Sequence, residues 1–182
     1  MEGKGSLLHQ SVQKHIYDLL PHGEAFIEYR LPGHVTDLLW LPKKIAFEIQ
    51  VSPISIDTAV TRTADYKKMG LFIVWILHQK SFNSAYLTLA ELFLRKHPNC
   101  YYTNISTTAH GYIYDQTELL RNNKREKRGN PSFLDLEKPL IKWGHLSFKG
   151  DRNQNFLTKS LQTCYTRFSP IVLVLFILAP QI

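Results

Sequence analysis

Residues 35–52 read VTDLLWLPKKIAFEIQVS, two apolar runs on either side of a Pro-Lys-Lys turn. Apolar and β-branched residues dominate both runs, which reads as two strands of a hairpin. Three polar side chains interrupt them: Asp37, Glu48 and Gln50. If Leu41-Pro42-Lys43-Lys44 is the turn, Asp37 falls directly opposite Glu48. Directly opposed residues share a face, with Cβ atoms roughly 4.5–5.5 Å apart. Gln50 points the same way as Glu48, two residues further on. Pro42 disfavours a primed two-residue turn. A four-residue loop keeps this register, whereas a three- or five-residue loop moves Asp37 to a diagonal position.

Two opposed carboxylates repel. Either one is protonated, or a basic side chain intervenes, or a divalent cation lies between them. Mg²⁺ takes hard oxygen ligands and needs only one or two carboxylates, so an Asp and a Glu on neighbouring strands suffice. The backbone carbonyl of Ile49 is a further candidate ligand. The alternative is a polar, solvent-facing side of a hairpin. Against it, Val35, Leu38, Leu39, Trp40 and Leu41 make the surroundings of Asp37 nearly all apolar.

Working outward, Leu8, Val12, Ile16, Leu19 and Leu20 recur at helical spacing, so a helix is expected from Ser6 to Leu20. AFIEYRL (25–31) is a strand closed by Pro32-Gly33, which makes the first three strands an antiparallel meander. Ser55 can cap a helix running to about Met69, with Asp57 in its first turn and Gly70 at its end. LFIVWIL (71–77) then suits a central strand buried on both faces and reached by a crossover helix. The order is α-β-β-β-α-β. Beyond it, 84–97 reads as a second helix and GYIYDQ (111–116) as a strand. The basic run 122–132, NNKREKRGNPS, reads as an exposed loop. Residues 133–170 show little periodicity. This divides the chain into a core domain over 1–120 and a C-terminal extension over 121–182.

The chain has 182 residues, 22 Lys plus Arg against 15 Asp plus Glu, and a net charge of +7. That size suits one domain with an appendage, and the charge favours a polyanionic partner. Cys100 and Cys164 are the only cysteines. They form neither a disulfide framework nor a paired zinc motif, so a reducing, cytoplasmic setting is expected. His97 and Cys100 have a zinc-like spacing without a second pair. Trp143 and His145 read as packing residues. The N-terminus has no apolar stretch of a secretory signal. The apolar run 171–179, IVLVLFILA, is too short for a membrane helix, which needs roughly 20 residues. It reads as a buried strand, packed in this fold or a partner, with a membrane-surface tail or a disordered, aggregation-prone end as the alternatives; a membrane- or protein-docking factor acting through this tail is a third functional reading.

The ordered pieces SLLHQSVQKHIYDLL, FIEYRLPGHVTDLLW, IAFEIQVSPIS, RTADYKKMG and FIVWIL resemble the nuclease-like domain of the competence protein CoiA family. More broadly they resemble the PD-(D/E)xK nucleases, whose core is restriction-endonuclease-like. The resemblance covers about residues 5 to 78. It implies an α/β fold, a mixed sheet with an αβββαβ core and helices on both faces. It also implies a metal-dependent DNA nuclease using Mg²⁺ or Mn²⁺, with Asp37 and Glu48 as the metal-binding carboxylates and a role in DNA uptake or recombination. Gln50 takes the place usually held by a lysine that orients water and offsets charge, as in some other members. A neutral amide can position water but supplies no charge, so a non-catalytic nucleic-acid-binding module of the same fold is the alternative. The cysteine-rich N-terminal element that CoiA-like proteins often carry is absent from this sequence.

Glu28, mid-strand beside Asp37, is a candidate third acid. His9 on the first helix is a candidate contact to metal or phosphate. Arg62 and Tyr66 share a helical face at i, i+4, and a similar Arg and Tyr occur in the resembling family. They are candidate nucleic-acid contacts, since guanidinium suits a phosphate. Lys124, Arg125, Lys127 and Arg128 are candidates for gripping the DNA backbone, with a merely solubilising loop as the alternative. Whether the DNA is single-stranded, duplex or branched is not decided by the sequence. A homodimer stays open, and membrane association is not expected.

Overall fold

The computed structural model describes residues 5–97 and 99–134. Elements run in the order α1 (Leu7–Asp18), β1 (Ala25–Leu31), β2 (His34–Trp40), β3 (Ile45–Gln50), α2 (Ile56–Lys68), β4 (Phe72–His78), α3 (Leu89–Arg95), β5 (Cys100–Thr103), β6 (Ile113–Arg121) and β7 (Lys124–Phe133). The strands form one seven-stranded sheet in sequential order. Strands β3, β4 and β5 are mutually parallel, and the flanking pairs are antiparallel. The protein is therefore α/β with a mixed sheet, in the expected αβββαβ order.

Each helix starts where the sequence offers a side-chain acceptor. Ser6 caps α1, Ser55 caps α2 and Thr88 caps α3, each accepting from the backbone N–H three residues on. Gly70 follows the end of α2 at φ +70, a left-handed conformation that costs glycine nothing. Helix α1 covers one face of the sheet, with Val12 and Ile16 against Leu38, Phe47, Ile49 and Val74. Helices α2 and α3 cover the other, with Ala59, Tyr66 and Leu94 against Leu39, Trp75 and Leu77. Burial on both faces explains why β3 and β4 read as continuous apolar runs rather than alternating ones.

The β2–β3 turn is the four-residue loop 41–44, closed by Lys44 N–H donating to the Leu41 carbonyl at 3.0 Å. Trp40 pairs with Ile45 and Leu38 with Phe47, so the register is the symmetric one.

Two expectations are corrected. The run 122–132 is not a loop. It forms a hairpin turn and strand β7, with Asn122 and Asn123 at φ +49 and +63 between the paired Arg121 and Lys124. Asparagine tolerates that conformation, and a primed turn matches strand twist. The helix over 84–97 shortens to Leu89–Arg95. The edge of β7 claims the preceding backbone: Arg125 N–H donates to the Ala85 carbonyl and Leu87 N–H to the Asn123 carbonyl. The sheet thus continues through Phe133, and the apolar run 171–179, Cys164, Trp143 and His145 lie outside the described residues. Among the described residues no helix is long and apolar enough to cross a membrane.

Candidate active site

The site forms where the hairpin ladder opens. Pairing between β2 and β3 ends at Leu38 and Phe47, one step short of Asp37 and Glu48. Side chains replace the missing ladder. Asp37 Oδ2 accepts from Ile49 N–H at 2.6 Å, and Thr36 Oγ1 donates to the Phe47 carbonyl at 3.4 Å. On the other flank, the β1–β2 ladder is paired at Ile27–Leu38 and Tyr29–Thr36 but skips Glu28 and Asp37. Glu28 has φ +49, which a non-glycine residue adopts at a cost. Its register sets it across from Asp37, and its side chain is exposed.

Glu48 is 1% exposed and points to the α2 face. Arg62 Nη1 donates to Oε2 at 2.5 Å, and the Tyr66 hydroxyl donates to Oε1. Burial, followed by the charge of Asp37, pushes the Glu48 carboxyl up to about 7, although Arg62 and Tyr66 pull the other way. Arg62 is 39% exposed and shares its charge with solvent, so it offsets burial incompletely. Burial and Glu48 together push the Tyr66 hydroxyl up, so Tyr66 is a neutral donor. Asp37 is more open. Its Oδ1 lies 3.1 Å from His9 Nε2. Burial opposes a charged His9, but Asp37, with Glu48 and Glu28 behind it, prevails and raises its pKa above the ordinary 6.5.

His9, Asp37 and Arg62 border a cavity of about 590 Å³, whose lining also includes Ile49, Gln50, Lys80 and Ser81. The Gln50 amide donates to the Ser52 carbonyl at 2.8 Å, which holds it at the rim. The donor set suits a hard divalent cation in kind: two carboxylates on adjacent strands and the main chain at Ile49. It is not assembled as a ready cage. Among the described residues no group of three or more His, Cys, Asp or Glu is placed to hold a metal ion. Each of the four carboxylate oxygens of Asp37 and Glu48 faces one protein donor, so a cation would share them with Ile49 N–H, His9, Arg62 and Tyr66.

Of the residues singled out from the sequence, His9, Asp37, Ile49, Gln50 and Arg62 line this cavity, and Glu48 is buried out of its lining, joined to it through Arg62. Tyr66 is fully buried beneath Glu48, so it contacts the site from inside. The basic residues of 124–128 lie on β7, away from the cavity lining. Arg125 is buried, with its guanidinium on Glu91 and Glu118 and a bond to the Tyr102 hydroxyl at 2.8 Å. Lys124 lies over the Tyr86 ring, Arg128 donates to the Asn83 carbonyl, and Lys127 is exposed. Burial lowers His97 to about 4, and the buried Cys100 lies beyond it on β5. Sequence reading missed Lys80, Ser81 and Gln13. Gln13 had a signal, since it lies four residues after His9 on one helical face. Its amide Nε2 donates to the Asp37 main-chain carbonyl at 2.6 Å.

An α/β domain whose paired carboxylates sit at an opened hairpin, beside a cleft lined with Arg62 and Lys80, has the make-up of a nuclease-like domain. The family model for the competence protein CoiA, nuclease-like domain, matches residues 6–124, and the chain belongs to that family. No curated protein and no solved structure matches it.

Proposed function

We propose that this chain is a metal-dependent DNA nuclease of the PD-(D/E)xK type, with a restriction-endonuclease-like core, that hydrolyses phosphodiester bonds during DNA uptake or recombination. The observation that carries the reading is the juxtaposition of Asp37 and Glu48 at the opened end of the β2–β3 ladder, beside a cavity of about 590 Å³. Asp37 and Glu48 would hold Mg²⁺ or Mn²⁺, with the Ile49 carbonyl as a further oxygen. When bound, such an ion lowers the pKa of water and offsets charge on phosphate.

The chain's own residues do the rest. Arg62 reaches Glu48 from an exposed position, so its guanidinium can transfer to a phosphate oxygen once Glu48 has another cationic partner. Tyr66 keeps Glu48 oriented from below. Gln50 holds a water at the rim through an amide that neither gives nor takes a proton. Lys80 brings a positive charge to the same cavity. Lys124, Lys127 and Arg128 on β7 add sequence-independent attraction to the backbone of DNA.

A non-catalytic nucleic-acid-binding module is the second reading. It is favoured by Gln50 in place of a cationic residue and by a protein donor on every oxygen of both carboxylates. Labelled single-stranded, duplex and branched DNA, incubated with Mg²⁺, Mn²⁺ or EDTA, separates the two. Cleavage that needs metal and is lost in Asp37→Ala and Glu48→Ala supports the nuclease. Salt-sensitive binding without cleavage, unchanged by either substitution, selects the binding module.

A further inference from the structure

We infer that Gln13 is a positioning residue that sets where Asp37 presents its carboxylate to the cleft. The inference rests on the reading of Asp37 as a site residue, but its geometry does not depend on any metal.

Asp37 has lost its strand partners on both sides. The β1–β2 ladder skips it because Glu28 opposite is left-handed, and the β2–β3 ladder stops before it. A residue in that situation is not fixed by the sheet. It is fixed here by bonds from elsewhere: Ile49 N–H to Oδ2 at 2.6 Å, His9 Nε2 beside Oδ1 at 3.1 Å, and Gln13 Nε2 to the main-chain carbonyl at 2.6 Å. Of these, the Gln13 bond alone holds the backbone.

Gln13 is 4% exposed, on the buried face of α1 between Val12 and Ile16. A buried amide on an otherwise apolar helix face needs a partner, and Asp37 supplies one. The same bond fixes α1 against β2, and His9 lies one turn earlier on that helix. One amide therefore sets both the Asp37 backbone and the approach of His9 to its carboxylate. Losing a group that holds a metal ligand in place typically costs about 10–100-fold in metal affinity.

The test uses the full chain. Gln13→Met keeps the volume and removes the donor. Gln13→Asn keeps the amide but shortens its reach, and it serves if the Met variant does not fold. Ile16→Val, on the same buried helix face, is the control for a general loss of packing. Two quantities are read: the amide resonance of Ile49 with the ring resonances of His9 in metal-free protein, and direct binding of Mn²⁺.

The expected result is displaced Ile49 and His9 signals and Mn²⁺ affinity lowered about 10-fold or more in the Gln13 variants. Ile16→Val should change neither. Wild-type signals and wild-type Mn²⁺ affinity in a destabilised Gln13 variant would overturn the inference and leave Gln13 as ordinary packing. If the wild type itself binds no Mn²⁺, the metal reading fails. The Ile49 and His9 signals then decide alone: displaced signals uphold the positioning role, and unmoved signals refute it.

Discussion

Replacing Glu48 with glutamine should change how stability depends on pH, by an amount the burial of Glu48 sets. The folded protein holds this carboxyl at about 7, against an ordinary 4.5. A raised carboxyl means that the folded state binds the proton more tightly than the unfolded chain. Its contribution is therefore fully present below about 4.5 and is lost as pH rises through 7. Each pH unit in that window corresponds to about 1.4 kcal/mol, so the full effect is about 3 kcal/mol. The amide that Glu48→Gln introduces cannot ionise, and it keeps an oxygen to accept from Tyr66. The measurement is urea unfolding of wild type and Glu48→Gln in EDTA, from pH 4 to 8. Stability of the variant relative to wild type should climb through pH 5 to 7 and level off above it. The His9 contribution, from a raised imidazole, is also lost as pH rises, but it is present in both proteins and largely cancels. Parallel stability curves across that range would refute the account of Glu48 as a buried, proton-holding carboxyl.

Other expectations follow from the same geometry. Adding Mn²⁺ should raise the melting temperature of wild type more at pH 8 than at pH 5, and should leave Asp37→Ala unchanged, as read by thermal unfolding. Glu28→Gly should stabilise the fold by about 1 kcal/mol, because glycine removes the left-handed penalty at φ +49; denaturant titration checks it, and a simultaneous loss of cleavage would mark Glu28 as a functional acid. Arg125→Met should destabilise by about 3–5 kcal/mol in urea, since it leaves Glu91 buried without its cation and Glu118 with Arg95 alone. Lys127→Ala should weaken DNA binding evenly across sequences and lower the slope of log affinity against log salt by about 1, measured by fluorescence anisotropy.

The sequence was most legible where periodicity and caps agreed. Ser6, Ser55 and Gly70 marked helix ends correctly, and the apolar runs of β3 and β4 showed their burial directly. Asp37 and Glu48 stood out because a carboxylate in an apolar strand has few explanations. Strand β7 was hidden because its exposed edge carries Lys, Arg, Gly and Pro, and charge there looks like a solvated loop. Besides its ladder with β6, it is tied down by Arg125, which reaches to Glu91 on α3 and Glu118 on β6. Those partners lie 34 and 7 positions away in the chain, and no local pattern announces them. Gln13 was passed over for a similar reason. A lone polar residue on an amphipathic helix reads as its boundary, and its partner is a backbone carbonyl 24 residues on.

The opened hairpin has a consequence for how the two faces of the molecule communicate. Asp37 takes its position from α1, through Gln13 and His9. Glu48 takes its position from α2, through Arg62 and Tyr66. These helices lie on opposite faces of the sheet and pack into separate cores, so the spacing between the carboxylates is a gauge of where each helix sits. Anything that draws Asp37 and Glu48 together pulls on both cores at once. A substitution near Val12 and one near Ala59, silent to each other in the sheet's interior, become energetically linked through the cleft.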